Sequence, residues 1–161
     1  MENIKSYKKI LGIIILCLLF FNTTIAAEKV NVIDGDTIKL NGIKIRFSGI
    51  DAPEKNQTCL KNEIVINCGK LSKEFLIKTI GNNKVTCDLE KKPDKYKRKL
   101  GECFINNQSL SRILVTNGYA FDWPYYSNKK YATDQEYAKK HELGLWGMKF
   151  EFPWDFKKKN K

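Results

Sequence analysis

Strand-like alternation of apolar and polar positions marks the region after residue 27. Ile38 and Leu40 alternate with polar neighbours, Asn41-Gly42 is a strong two-residue hairpin turn, and Ile43, Ile45 and Phe47 alternate with Lys44, Arg46 and Ser48. Arg46 is thereby placed on the face opposite Ile43, Ile45 and Phe47. Leu71, Phe75, Leu76 and Ile80 then recur at helical spacing with Gly81 behind them as a C-terminal cap, which predicts a helix of about three turns. Val85, Cys87 and Leu89, the loop 91–98 and the run 100–105 predict a second hairpin. If it is symmetric about Lys95, Cys87 faces Cys103. A second helix is expected over 109–117, with Leu110, Ile113 and Leu114 on one side and Gly118 ending it. A third opens at Thr133, whose spacing to Glu136 is that of a capping box, and stops near Gly144. Strands first and helices afterwards imply an α+β domain, a small antiparallel sheet or barrel covered by helices. No repeat and no linker rich in Pro, Gly or Ser divides the chain.

The segment before this region has another pattern. Lys5, Lys8 and Lys9 precede an apolar run over 10–21, and small residues follow at Thr24, Ala26 and Ala27. This is the layout of an export signal, and the run is short for a membrane span. Residues 1–26 are therefore expected to be a signal peptide cut after Ala26, an uncleaved anchor being the alternative. Cys17 lies inside the run behind bulky Leu16, which argues against a lipoprotein anchor. Removal of 26 residues from 161 leaves 135, enough for one domain over 27–161 with a basic tail from about residue 155. The expected location is secreted or periplasmic.

Charge narrows the partners. The chain carries a net +11, and loss of three Lys and one Glu with the signal leaves +9. A polyanion is the natural partner, nucleic acid and anionic membrane both qualifying. Lys157, Lys158, Lys159 and Lys161 on their own could be no more than a solvated tail. Cys59, Cys68, Cys87 and Cys103 form an even set in an exported chain, which favours two disulfides. Zinc is disfavoured, since there is no Cys-x-x-Cys pair and His141 is the sole histidine. Three pairings are open. Cys59–Cys68 with Cys87–Cys103 is preferred because each closes a local loop, and a loop of about 15 residues would add roughly 3 kcal/mol.

Candidate chemistry gathers where strands end. Asp34 and Asp36 stand in Asp-Gly-Asp-Thr, and Asp51 and Glu54 in Asp-Ala-Pro-Glu. Each motif alone has a plain structural explanation, the first as a turn with side-chain bonds to its own backbone, the second as a helix start capped by Asp51. Arg46 lies five residues before Asp51, and a basic loop with Lys95, Lys97 and Arg98 returns later. Together they supply what phosphoryl transfer needs: oxygen ligands for a hard cation, a carboxylate to take a proton from water, and guanidinium groups for the charge that grows on phosphate. One preorganised donor of this kind is worth on the order of 3 kcal/mol in the transition state.

The run 32–38 (Val-Ile-Asp-Gly-Asp-Thr-Ile), Arg46, 50–54 (Ile-Asp-Ala-Pro-Glu) and 94–98 (Asp-Lys-Tyr-Lys-Arg) resemble, in order and spacing, the motifs of the staphylococcal nuclease family. Gly144-Leu-Trp-Gly147 followed by Pro153-Trp154 resembles bacterial members with a short extension past the last helix. The resemblance covers about residues 28–146 and implies an OB-type five-stranded antiparallel barrel with about three helices, a fold whose grooved face holds single strands. It implies calcium held by Asp36, Asp51 and the backbone carbonyl of Ala52, where the prototype carries Thr. It also implies Glu54 as general base, Arg46 and Arg98 as the pair gripping the phosphate, and Asp34 and Thr37 as supports. Lys95 and Tyr96 match residues that hold a terminal phosphate. Tyr125 or Tyr126 would add an aromatic contact, although an aromatic cluster at 123–126 more often belongs to a core. The implied activity is hydrolysis of DNA and RNA, preferably single-stranded or unstructured, by a monomer with no stable membrane association after signal cleavage.

Two rivals differ in class. A non-catalytic nucleic-acid-binding OB module would keep the groove and the charge without needing all of the acids and arginines. A domain adhering to anionic surfaces through its basic tail would need residues beyond Trp154 and not Glu54. Serine, cysteine or two-histidine hydrolysis is disfavoured by a lone His141 among polar neighbours.

Overall fold

The computed structural model describes residues 30–160. The expected signal segment and Cys17 lie outside these residues. The first hairpin forms as its alternation requires: β1 (Val30–Asp34), β2 (Thr37–Leu40) and β3 (Ile43–Phe47) pair antiparallel, with Ile38, Ile45 and Phe47 buried. Asn41 and Gly42 both take positive φ, the requirement of the turn that matches strand twist. Ile43, at the turn, stays 48% exposed. A register shift between Val32 and Asp34 leaves Ile33 as an extra residue in β1, and such a bulge re-aims the side chains at the strand end.

β4 (Ile50–Asp51) leaves the main sheet and pairs with the distant β10 (Phe121–Asp122), setting Asp51 opposite Phe121. The stretch between Cys59 and Cys68 is a hairpin rather than a plain loop, β5 (Thr58–Lys61) and β6 (Ile64–Asn67). Its turn residues Asn62 and Glu63 adopt positive φ without a glycine, which is why no turn motif announced it. Helix α1 (Cys68–Ile80) follows, with Asn67 accepting the Lys70 N–H as N-cap and Gly81 closing it. β7 (Thr86–Leu89) and β8 (Lys99–Ile105) form the second hairpin, in which Cys87 does oppose Cys103. Both expected disulfides are present, with Cα separations of 5.8 Å for Cys59–Cys68 and 4.0 Å for Cys87–Cys103. A short β9 (Gln108–Ser109) leads into α2 (Leu110–Thr116), capped by the Ser109 hydroxyl.

The α+β class holds, and the sheet is mostly antiparallel. The pairing order among the described residues is an open β1-β2-β3-β8-β7 with β9 on β8, and no ladder joins β1 to β7 to close a barrel. The sheet is also not purely antiparallel, because β3 and β8 run parallel. Five helices are described instead of about three. The additional ones, α3 (Pro124–Ser127) and α5 (Pro153–Lys159), are short and each begins at a proline, whose fixed φ and missing N–H suit a first helical turn. They carry too few apolar residues for helical periodicity to be seen. Helix α4 (Ala132–Lys140) starts before Thr133, and the capping box does not form. Asp134 in its first turn pairs instead with Arg112 of α2.

Two cores result. The larger lies between the sheet and helices α1 and α2, built on Val32, Ile38, Ile45, Phe47, Leu76 and Leu114. The smaller centres on Phe121, Leu145 and the Cys59–Cys68 bridge, with Phe150, Phe152 and Trp154 packed around it. It docks the chain after α4 beneath the β4–β10 ladder, and α5 is thereby fastened beside Asp51.

Candidate active site

Backbone crossings at two glycines bring the motifs together. A Cβ on Gly35 would lie 2.7 Å from the Ser72 Cβ and 2.8 Å from the Ala52 Cβ, so only glycine lets the β1–β2 turn pass between α1 and the segment after β4. At Gly69 a Cβ would fall 1.9 Å from the Glu54 carbonyl oxygen, so the first turn of α1 and the Glu54 loop touch backbone to backbone.

Asp36 and Asp51 are buried, and Arg46 bridges them. Its Nη1 donates to Asp36 Oδ1 at 2.5 Å and its Nη2 to Asp51 Oδ1 at 2.5 Å, with a further bond from Nη2 to the Ile50 carbonyl at 3.3 Å. Asp36 also accepts the Thr37 hydroxyl at 3.0 Å and the Ala52 N–H at 2.8 Å. Asp34 accepts the Asp36 N–H at 3.1 Å, closing the turn that the sequence motif suggested. Asp51 does not cap a helix. It ends β4, and Pro53 and Glu54 continue as a loop.

Glu54 reaches the same place with its side chain 42% exposed. Its backbone N–H donates to Gln57 Oε1 at 3.1 Å, and Gln57 Nε2 donates to the Glu151 carbonyl at 2.7 Å. Gln57 is only 1% exposed, so a buried amide ties the Glu54 loop to the segment leading into α5. From α5, Lys157 Nζ donates to both Asp51 oxygens at 2.7 and 2.9 Å and lies 3.2 Å from Glu54 Oε1. Neither Gln57 nor Lys157 was foreseen. No motif distinguishes Gln57, whereas Pro153 at a helix start between Phe152 and Trp154 could have shown that Lys157 belongs to a docked helix and not to a solvated tail.

The electrostatics follow from this crowding. Burial, then the Asp36 charge, pushes the Asp34 carboxyl up to about 6. Asp51 is raised for the same two reasons, against the opposing pull of Lys157 and Arg46. Burial alone would lower Arg46, but Asp36 and Asp51 carry it above its ordinary range.

The donor set has the chemistry of a hard-cation site, carboxylate oxygens crowded enough to hold protons unusually well. As arranged, no three acidic, His or Cys side chains among the described residues surround a common point. The Asp36 and Asp51 oxygens that such a cation would use are engaged by Arg46 and Lys157.

Arg98 stands apart from this cluster. Its Nε donates to Asp94 Oδ2 at 2.8 Å, and the Tyr96 and Arg98 N–H groups donate to Asp94 Oδ1, each at 2.9 Å. Burial opposes the shift, but these bonds hold the Asp94 carboxyl below its usual range. In the parallel β3–β8 register Leu100 sits opposite Arg46, and Arg98 stands just before β8 begins at Lys99. Tyr96 is 66% exposed, with Lys95 Nζ 5.1 Å and the Arg98 guanidinium 5.4 Å from its ring centre. The aromatics at 123–126 are not core: Tyr125 and Tyr126 are 86% and 68% exposed. Trp123 and Tyr126 lie 4.3 Å apart, and Lys157 Nζ is 5.9 Å from the Trp123 ring, which puts this pair beside the carboxylates. His141 ends α4 with its ring against Tyr137, away from the motifs.

Comparison with known proteins matches residues 44–148 to the family described as "Staphylococcal nuclease homologue". The match takes in Arg46, Asp51, Ala52, Glu54, Lys95, Tyr96, Arg98 and Tyr126, and Asp36 lies just upstream of it. Thermonuclease of Staphylococcus intermedius is 32% identical over 124 residues, 71% of this chain and 72% of that protein. Succinoglycan biosynthesis protein ExoI of Rhizobium meliloti is 32% identical over 143 residues, 84% of this chain and 74% of that protein. Endonuclease YhcR of Bacillus subtilis is 32% identical over 145 residues, but those are 78% of this chain and 12% of that protein.

Proposed function

This chain belongs to the staphylococcal nuclease family, and from that premise we propose that it is an exported, calcium-dependent nuclease hydrolysing phosphodiester bonds in DNA and RNA with little sequence preference. The observation that carries the proposal is the Arg46 bridge between Asp36 and Asp51, with Glu54 brought to the Lys157 ammonium that also binds Asp51. Three separate motifs meet there, and relatives named as nucleases support the chemistry they suggest. The name of ExoI points to succinoglycan biosynthesis, and none of the site residues favours that chemistry over phosphodiester hydrolysis.

In this reading Asp36, Asp51 and the Ala52 carbonyl hold calcium, which when bound polarises the phosphoryl oxygen. Glu54, exposed and tied at its backbone to Gln57, takes the proton of the attacking water. Arg46 has five N–H donors, more than the three bonds described for it use, and its orientation is set before substrate arrives. Arg98, at the start of the strand that pairs with that of Arg46 and steadied by Asp94, supplies the second guanidinium. Lys95 and Tyr96 hold the neighbouring phosphate, and Tyr126 with Trp123 offers a base a stacking surface on the rim. The sheet corresponds to the family's OB-type barrel left open between β1 and β7. Residues 1–26 act as the export signal, and the released domain works as a monomer without membrane attachment.

Purified protein incubated with single-stranded DNA tests this with calcium, with a chelator, and as Glu54→Gln. Calcium-dependent cleavage that falls by about 10²–10⁴-fold in the variant, with DNA binding retained, is expected. Binding without cleavage in every condition identifies the non-catalytic OB module instead. Material exported by the cell should begin at Ala27.

A further inference from the structure

The Lys157 contact is unusual because a lysine on a C-terminal helix, its side chain a third exposed, has been brought to a fully buried carboxylate. Both Asp51 oxygens accept from its ammonium, and Glu54 lies 3.2 Å away on its other side. Four carboxylates, Asp34, Asp36, Asp51 and Glu54, gather here, and among the described residues the cationic side chains that pair with them are Arg46, on Asp36 and Asp51, and Lys157, on Asp51 and Glu54. Lys157 thus supplies half of the neutralising charge. It is held near by construction: Phe152 and Trp154 stack at 4.6 Å, both pack on Phe121, Pro153 is buried, and Gln57 binds the Glu151 carbonyl. Phe121 in turn pairs with Asp51 across the β4–β10 ladder. The anchor of α5 and the carboxylate that its lysine binds are therefore parts of one unit.

We propose that Lys157 is a tethered cation that competes with the divalent metal for Asp51 and Glu54, so that α5 holds the metal-free site closed and sets the metal concentration at which it opens. The inference rests on the assignment of Asp51 and Glu54 to metal binding and water activation. A lysine suits the task. Its compact charge ends a flexible four-carbon stem, so it can leave Asp51 by changing rotamer while the aromatic anchor of α5 stays in place. Tethering gives it a high effective concentration, which a soluble cation must overcome. A third of the side chain is exposed already, and Trp123 offers a cation a resting surface on the rim.

Calorimetric titration of calcium into the wild-type chain, Lys157→Met and Lys157→Arg tests the competition without substrate. Lys157→Met keeps the apolar stem and loses the charge, and it should bind calcium roughly tenfold more tightly, the scale of a charge-assisted hydrogen bond. Lys157→Arg keeps the charge and should stay near wild type. Thermal unfolding in chelator gives a second readout: Lys157→Met should melt below wild type, having left buried Asp51 with Arg46 as its remaining described cation, and should gain more from saturating calcium than wild type does. Equal or weaker calcium binding by Lys157→Met overturns the competition while leaving the nuclease reading intact. If neither protein takes up calcium, the metal assignment fails together with this inference.

Discussion

At the scale of single residues, the groups that share a motif were legible, because a turn such as Asp-Gly-Asp-Thr dictates its own local geometry. Asp36, Arg46, Asp51 and Glu54 do converge. Gln57 and Lys157 were not legible, since each acts through a partner far along the chain, 94 residues away for Gln57 and 106 for Lys157. Crowding at this scale has a measurable consequence for the metal-free protein. Asp34 titrates near 6 in the fold, burial being the main cause and the Asp36 charge the next, against an ordinary value of 3.8. The folded state therefore binds its proton more tightly than the unfolded chain does. Below about pH 4 both states are protonated and nothing is lost. From there to about pH 6 the unfolded chain ionises first, so stability falls as pH rises, and above about 6 the full penalty is present. Asp34→Asn keeps an oxygen for the Asp36 N–H and removes the charge. In chelator at pH 7 it should be more stable than wild type by on the order of 1 kcal/mol, with the gain vanishing near pH 4. Urea unfolding at the two pH values checks this, and a gain that persists at pH 4 would rule out the charge as its cause.

At the scale of elements, periodicity found what periodicity encodes. The two hairpins and helices α1 and α2 follow their apolar patterns, and the symmetric second hairpin placed Cys87 opposite Cys103. The failures share a cause: β5–β6 turns through two non-glycine residues of positive φ, while α3 and α5, of four and seven residues, are short helices held by tertiary contacts instead of an amphipathic stripe. The open, partly parallel sheet was likewise invisible, because pairing between β3 and β8 is decided by the chain between them and not by either strand. The two disulfides span 9 and 16 residues, and because closure entropy grows only with the logarithm of loop length, removing either one by paired Cys→Ala substitution should lower stability by about 3 kcal/mol. Their effects on activity should differ. Cys68 follows Gln57 in the hydrogen-bond network, its N–H donating to the Gln57 carbonyl at 3.0 Å, so loss of Cys59–Cys68 loosens the Glu54 loop. Cys87–Cys103 lies within the main sheet, farther from that loop. Cleavage rates measured well below both melting temperatures should drop for the first pair and hold for the second.

At the scale of the whole molecule, composition points to a basic domain suited to a polyanion but not to which of its lysines would meet one. A net +9 beyond residue 26 is a field, and a field alone cannot separate substrate binding from adhesion to an anionic surface. Occupation of the lysines by the protein's own acids is where the two readings differ. Lys157 is bonded to Asp51 and Lys159 to Glu151, so the two tail lysines whose partners are described face the protein's own acids. Lys95, by contrast, lies over the ring of the exposed Tyr96, as does Arg98, which is itself paired with Asp94. Deleting residues 155–161 keeps the Phe152–Trp154 stack and removes four Lys and one Asp, taking the net charge from +9 to +6. If substrate is held by Arg46 and Arg98, the shortened protein still cleaves single-stranded DNA in calcium. Its binding constant then falls with salt at nearly the wild-type slope, within the change of about 0.7 that one lost phosphate contact would bring. If the tail is an adhesive, the same deletion abolishes binding to anionic vesicles and leaves Glu54 without a role. Cleavage lost on deletion, with the fold intact by circular dichroism, would place the substrate on α5 and overturn the assignment to the Arg98 side.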